Sequence, residues 1–189
     1  MTTIGRATLV TFFSLLRGGR TDVYFAGVQL HRVLRDHTLV SASPSGVLLV
    51  APESGRSEAP GGAEVLSRGV ALYSGGLAVS EPIPYGTRDR PFAIERVLSW
   101  TLDSLSALVL GRWGDRAGLF LLDGGVGDGV ERPLYLGPTS GRTFGTYSER
   151  DVAFVADGAS LSFIRDGVLR PLRLPEGAPS PDGPIVWVP

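Results

Sequence analysis

A leucine-terminated segment recurs along this chain at a regular pitch, and that pitch restricts the fold more than any single motif. The copies are Gln29-Leu-His-Arg-Val-Leu34, Gly62-Ala-Glu-Val-Leu66, Ala93-Ile-Glu-Arg-Val-Leu98, Val130-Glu-Arg-Pro-Leu-Tyr-Leu136 and Val168-Leu-Arg-Pro-Leu-Arg-Leu174. Their last leucines are separated by 32, 32, 38 and 38 residues. Units of this size cannot bury two apolar faces alone, so they satisfy them by stacking on their neighbours.

Between the copies lie short apolar runs joined by turn residues. They are Thr38–Ala42 and Val47–Ala51 across Ser43-Pro-Ser-Gly46, and Gly69–Tyr73 and Leu77–Ser80 across Ser74-Gly-Gly76. Ser106–Leu110 and Leu119–Leu122 flank a longer turn, Gly111–Gly118, and Asp151–Ala156 and Leu161–Ile164 flank Asp157-Gly158. Runs of four to six residues rich in Val, Leu and aromatics, bounded by Gly, Pro, Ser and Asp, read as antiparallel strands buried on both faces. The 26 Gly and 14 Pro among 189 residues are about twice the usual share. Breakers at that density leave little room for long helices.

The expected fold is therefore all-β: a five-bladed β-propeller of short 3–4-stranded antiparallel blades, a single domain over 1–189, with blade ends near Leu34, Leu66, Leu98, Leu136 and Leu174. Tyr24–Leu34 aligns with Phe163–Leu174, so the chain starts with the later strands of a unit. It finishes with Ser180-Pro-Asp-Gly183 and Ile185-Val-Trp-Val188, the early strands of one. Residues 175–189 are thus expected to close the ring on the N-terminal blade and remove both free edges. A β-sandwich is the alternative, and an open ring completed by a second copy another. Residues 1–20 are compatible with a strand, a helix or a processed segment.

The turn Ser180-Pro-Asp-Gly183 before Ile185–Val188, with its degenerate copy Ser43-Pro-Ser-Gly46 before Val47–Val50, resembles the repeat of TolB-like and lactonase-like β-propellers. The resemblance implies a propeller fold and no particular activity, since those families include scaffolds, sensors and hydrolases. The chain departs from them in having about five blades, each shorter than theirs. No catalytic residue is carried over.

Composition removes several chemistries. The chain has no Cys, its 18 basic residues are all Arg, Asn is missing and Gln29 is the only Gln. A GC-rich genome would give this alphabet; a hot habitat would account for the scarcity of thermolabile Asn, Gln and Cys, though the commoner hyperthermophile pattern is rich in Lys. Disulfides and a lysine P-loop are excluded. Two histidines, His31 and His37, do not supply the usual zinc ligand sets. With 18 Arg against 19 Asp plus Glu, a pI near 6.1 and no run of like charge, a phosphate-tracking nucleic-acid surface is not expected. The apolar run Ala7–Leu16 after Arg6 is similar to a secretory signal. It lacks an Ala-x-Ala site and is too short to span a bilayer, so the chain reads as cytoplasmic, with no membrane span.

No Gly-x-Ser-x-Gly elbow and no cofactor motif is present, so no catalytic residue is named and no cofactor is expected. Carboxylates near the starts of blades, Asp36, Asp103, Glu149, Asp151 and Asp182, are the remaining route to glycoside hydrolysis, and are equally ordinary turn caps. The Gly-rich stretch Asp123–Glu131 lacks the alternate acids of a calcium loop. Arg32, Arg96, Arg132 and Arg170 occupy four of the five copies, with Glu64 in the fifth. They read as charges protecting outer strand edges.

The best recognition candidate is the Gly111–Gly118 turn, which sets Arg112, Trp113, Asp115 and Arg116 at a tip. Trp and Arg dominate interface hot spots, and Trp also stacks on sugars. Asp36-His37, at a link between blades, and Trp100 and Asp103, at the start of one, complete the candidate set. The expected function is a non-enzymatic scaffold that binds a protein partner; the alternative is a carbohydrate-binding or glycan-hydrolysing propeller.

Overall fold

The structure is a computed structural model. It describes residues 12–17, 20–25, 30–35, 37–43, 48–52, 56–58, 65–68, 71–73, 83–101, 106–123, 133–139, 143–147, 152–179 and 181. Among these there is no helix. The strands are β1 (Phe12–Arg17), β2 (Arg20–Phe25), β3 (Leu30–Arg35), β4 (His37–Ala42), β5 (Leu48–Pro52), β6 (Arg56–Glu58), β7 (Val65–Arg68), β8 (Ala71–Tyr73) and β9 (Ile83–Pro84). They continue as β10 (Ala93–Trp100), β11 (Ser106–Trp113), β12 (Arg116–Asp123), β13 (Leu134–Gly137), β14 (Thr143–Tyr147), β15 (Val152–Asp157), β16 (Ser160–Arg165) and β17 (Val168–Pro171).

Four sheets result, with strand orders β1-β2-β3, β4-β5-β8-β9, β13-β12-β11-β10-β7-β6 and β14-β15-β16-β17. Every pairing is antiparallel. The expectation of an all-β chain built from short meanders is met. Residues 12–17, which the sequence leaves open, form a strand. Ring closure is not among the observed features, because residues 180 and 182–189 of the expected closing segment 175–189 lie outside the described residues, as do the runs at 77–80 and 124–131.

The turns follow local chemistry. Two-residue hairpins with Gly at the first central position take the type II′ form, whose twist matches that of the strands. Gly114, between β11 and β12, has φ 59°, and Gly158, between β15 and β16, has φ 58°. Between β16 and β17, Asp166 and Gly167 both have positive φ, 52° and 70°, as a type I′ Asp-Gly turn requires.

The central sheet is buried on both faces, and side-chain alternation sorts its residues. On one face Ala107 and Val109 of β11 and Phe120 and Leu122 of β12 meet Leu49 and Ala51 of β5, with Tyr85, Phe92 and Ile94. On the other, Leu108, Leu110 and Leu119 meet Ala153, Val155 and Ile164 of the β14–β17 sheet. β10 keeps to this plan by bulging twice, between Ile94 and Arg96 and between Val97 and Ser99. Each bulge adds a residue. Ile94, Val97 and Trp100, spaced by three, therefore all pair with odd-numbered β11 residues and face the first cluster.

Three expectations need correction. The five leucine-terminated copies do not occupy equivalent outer positions. β3, β13 and β17 end their sheets, but β7 and β10, which carry Leu66 and Leu98, pair with each other through Ala93–Arg68 and Ile94–Ser67. Strand position depends on which edges neighbours leave open, which the strand's own sequence does not encode. Arg96, accordingly, guards no edge. It lies inside the six-stranded sheet, donates to the Thr143 carbonyl and sits over the Phe144 ring at 5.8 Å, joining two sheets. Finally, Gly111–Gly118 is not a long loop: β11 runs to Trp113, β12 resumes at Arg116, and only Gly114 and Asp115 form the turn. Arg170 does lie on an edge strand and is exposed.

Candidate functional site

Two hairpin tips meet at one end of the central sheet. The first is the Gly114-Asp115 turn. The second is the loop 85–92, closed by a Gly86–Pro91 bridge and by Phe92 N–H donating to the Tyr85 carbonyl at 3.1 Å. Within it, Thr87 and Arg90 exchange backbone hydrogen bonds of 3.1 Å, and the Arg90 N–H also reaches Thr87 Oγ1 at 3.2 Å. Gly86, at φ 75°, is required here, since a Cβ would lie 3.0 Å from Trp113 Nε1.

Trp113 joins the two tips. Alternation along β11 turns it toward the first core cluster, where it packs half-buried, and its indole N–H donates to the Arg90 carbonyl at 3.1 Å. The Arg90 guanidinium lies across the glycine of the other tip, with Nη2 3.4 Å from the position of a Gly114 Cβ. Arg90, Trp113, Gly114, Asp115 and Arg116 line an open cleft of about 380 Å³. Arg116 is oriented by Tyr135, whose ring centroid lies 5.4 Å from its guanidinium carbon. Stacked guanidinium groups of this kind keep their hydrogen-bonding edges available.

Three of the four hairpin residues named from the sequence, Trp113, Asp115 and Arg116, thus share the cleft. Arg112 does not. One position before Trp113, it points to the opposite face, where Nε donates to Glu95 Oε1 at 2.8 Å. That hydrogen bond, and then the attraction of the Glu95 carboxylate, raise Arg112 above its ordinary pKa. With side chains 63% and 26% exposed, the pair is worth at most about 1 kcal/mol. Arg112→Ala should therefore lower unfolding stability by less than about 1 kcal/mol in urea titration, and a larger loss would contradict this placement.

Trp100 is elsewhere. It packs against the first cluster and donates from Nε1 to Ser41 Oγ at 3.0 Å, linking the central sheet to β4. His37 opens β4, its backbone paired with Pro52. Asp36 and Asp103 lie outside the described residues, as do Glu149, Asp151 and Asp182. Among the described residues no group of three His, Cys, Asp or Glu side chains is placed to hold a metal ion, and no helix is long and apolar enough to cross a membrane.

Arg90 was missed by sequence reasoning. It lies 23 residues from Trp113, and only the 85–92 loop brings it to the hairpin. The available signal was Gly86-Thr-Arg-Asp-Arg-Pro91, a charged turn between two aromatics. In comparison with known proteins, the chain matches no family model, no curated protein and no solved structure.

Proposed function

We propose that this protein is a non-enzymatic binding module, a small β-propeller that engages a protein partner through the paired tips at residues 87–90 and 113–116. The observation that carries the binding reading is the Trp113 indole bond to the Arg90 carbonyl. It ties two exposed, charged turns into one surface before any partner arrives, which reduces the ordering cost of association.

The propeller reading draws on the sequence in which the sheets meet. β2 neighbours β4, β5 neighbours β7, and β10 neighbours β14, so each meander stacks on the next along the chain. Residues 175–189 would complete the first sheet, in keeping with the resemblance of the Ser180–Gly183 turn to TolB-like repeats. The β6–β7 hairpin is an addition to the simple blade plan.

Affinity purification from the native lysate tests the binding reading. The full chain should retain one stoichiometric protein, Arg116→Glu should lose it, and Arg165→Glu should keep it. The β16–β17 turn beside Arg165 lies at the far end of the sheets, since Gly167 sits by Leu134 at the start of β13. Retention by Arg116→Glu would overturn the reading. Glycan-array binding abolished by Trp113→Ala would replace it with carbohydrate recognition.

A further inference from the structure

Two guanidinium groups line the cleft between the tips, and neither Arg90 nor Arg116 is ion-paired to a carboxylate among the described residues. Arg112, by contrast, is neutralised by Glu95 on the other face. The cleft thus sets two guanidinium groups, without a carboxylate partner among the described residues, beside the indole of Trp113. Both guanidinium groups are pre-placed. Arg116 stacks on Tyr135, and Arg90 extends from the closed Thr87–Arg90 turn across Gly114.

We infer that this cleft takes one carboxylate of the partner, an Asp or Glu side chain, held between the guanidinium groups of Arg90 and Arg116. The inference rests on the partner-binding reading above and names the chemistry of its anchor. Charge selects the ligand. Arg90 and Arg116 supply two positive charges and Asp115 one negative, leaving a single net positive charge that a carboxylate balances. Arg88 and Asp89, exposed neighbours in the same turn, offset each other and leave this balance unchanged. Guanidinium edges match a carboxylate in plane and spacing, so this pairing supplies direction as well as charge.

The test uses the full chain labelled with ¹⁵N and two capped pentapeptides, Gly-Ala-Glu-Ala-Gly and Gly-Ala-Gln-Ala-Gly, followed through the arginine Nε–H resonances. The Glu peptide should shift Arg90 and Arg116 saturably, with an affinity on the order of millimolar, while the Gln peptide does not. Arg90→Gln and Arg116→Gln should each weaken the Glu peptide about tenfold, the loss of one charge-assisted hydrogen bond, and Arg112→Gln should leave it unchanged.

Equal response to both peptides, or an Arg112 response as large as that of Arg90 and Arg116, would overturn the carboxylate site. So would inorganic phosphate binding the same two resonances more tightly than the Glu peptide. The two proposals fail separately. A discriminating peptide response with no retained partner sinks the protein-binding reading alone. A retained partner with no peptide discrimination sinks the carboxylate site alone.

Discussion

Replacing Phe120 with alanine should cost about 3–5 kcal/mol of unfolding stability. The side chain is fully buried. Its ring stands edge-on to Phe92 at 5.1 Å and 71°, and tilted against Tyr135 at 5.1 Å and 57°. Phe92 in turn meets Tyr85 edge-on at 6.5 Å. This row of four rings runs from the 85–92 loop through β12 to β13, so no one neighbour can close over the void alone. The cost therefore combines lost transfer free energy with a residual cavity. Urea denaturation should show a lowered midpoint with an unchanged slope. Phe120→Leu should lose about 1–1.5 kcal/mol, because it refills most of the volume. Leu134→Ala, with a side chain 47% exposed, should stay within about 0.5 kcal/mol. A Phe120→Ala loss below about 1 kcal/mol would contradict the row of rings. The cleft should suffer with the core, since Phe92 anchors one tip and Trp113 packs on the same cluster.

Gly118→Ala should be comparably severe, at about 3 kcal/mol or more, for a different reason. Gly118 has φ 145°, where a Cβ is strained, and that Cβ would be driven into the Gly137 carbonyl oxygen and to 2.9 Å from Pro138 Cα. The obstructing atoms are backbone of the adjoining strand, so relief requires β13 to move off β12. β13 covers part of the cluster between the central and β14–β17 sheets, through Leu136. Strain and lost packing therefore add. Gly177→Ala is the matched control for positive φ without crowding: its φ is 80° and nothing lies within 4 Å. It should cost only about 1 kcal/mol. Thermal unfolding of the two variants compares the effects directly. Equal losses would show that β13 does not press on Gly118.

Much of the strand pattern is legible locally. The alternation Ala107-Leu-Val-Leu110 against Leu119-Phe-Leu-Leu122 gives two apolar faces, and the structure buries both. Asp166-Gly167 marks a turn at the residues where the chain reverses, and Asp157-Gly158 marks one offset by a residue, since Gly158 and Ala159 form it. The double bulge of β10 is not legible, because Ile94, Val97 and Trp100 at spacing three would suit a helix face as well as a bulged strand. At the site, Trp113, Asp115 and Arg116 could be named because they are neighbours in sequence. Arg90 could not, and Arg112 was misassigned because the region read as a loop, in which side chains do not alternate.

By itself the sequence determined that the chain is β-structured, where its strands break, and that cysteine and lysine chemistry are closed to it. These are properties of single residues and short periods, decided by backbone sterics and apolar patterning. Tertiary structure alone decided that β7 pairs with β10, that Arg96 joins two sheets rather than guarding an edge, and that Arg90 comes to Trp113. Those outcomes depend on which edges and carbonyl groups remain unpaired after the neighbouring strands have formed. A backbone hydrogen bond accepts any residue as donor or acceptor, so side-chain identity does not announce the partner.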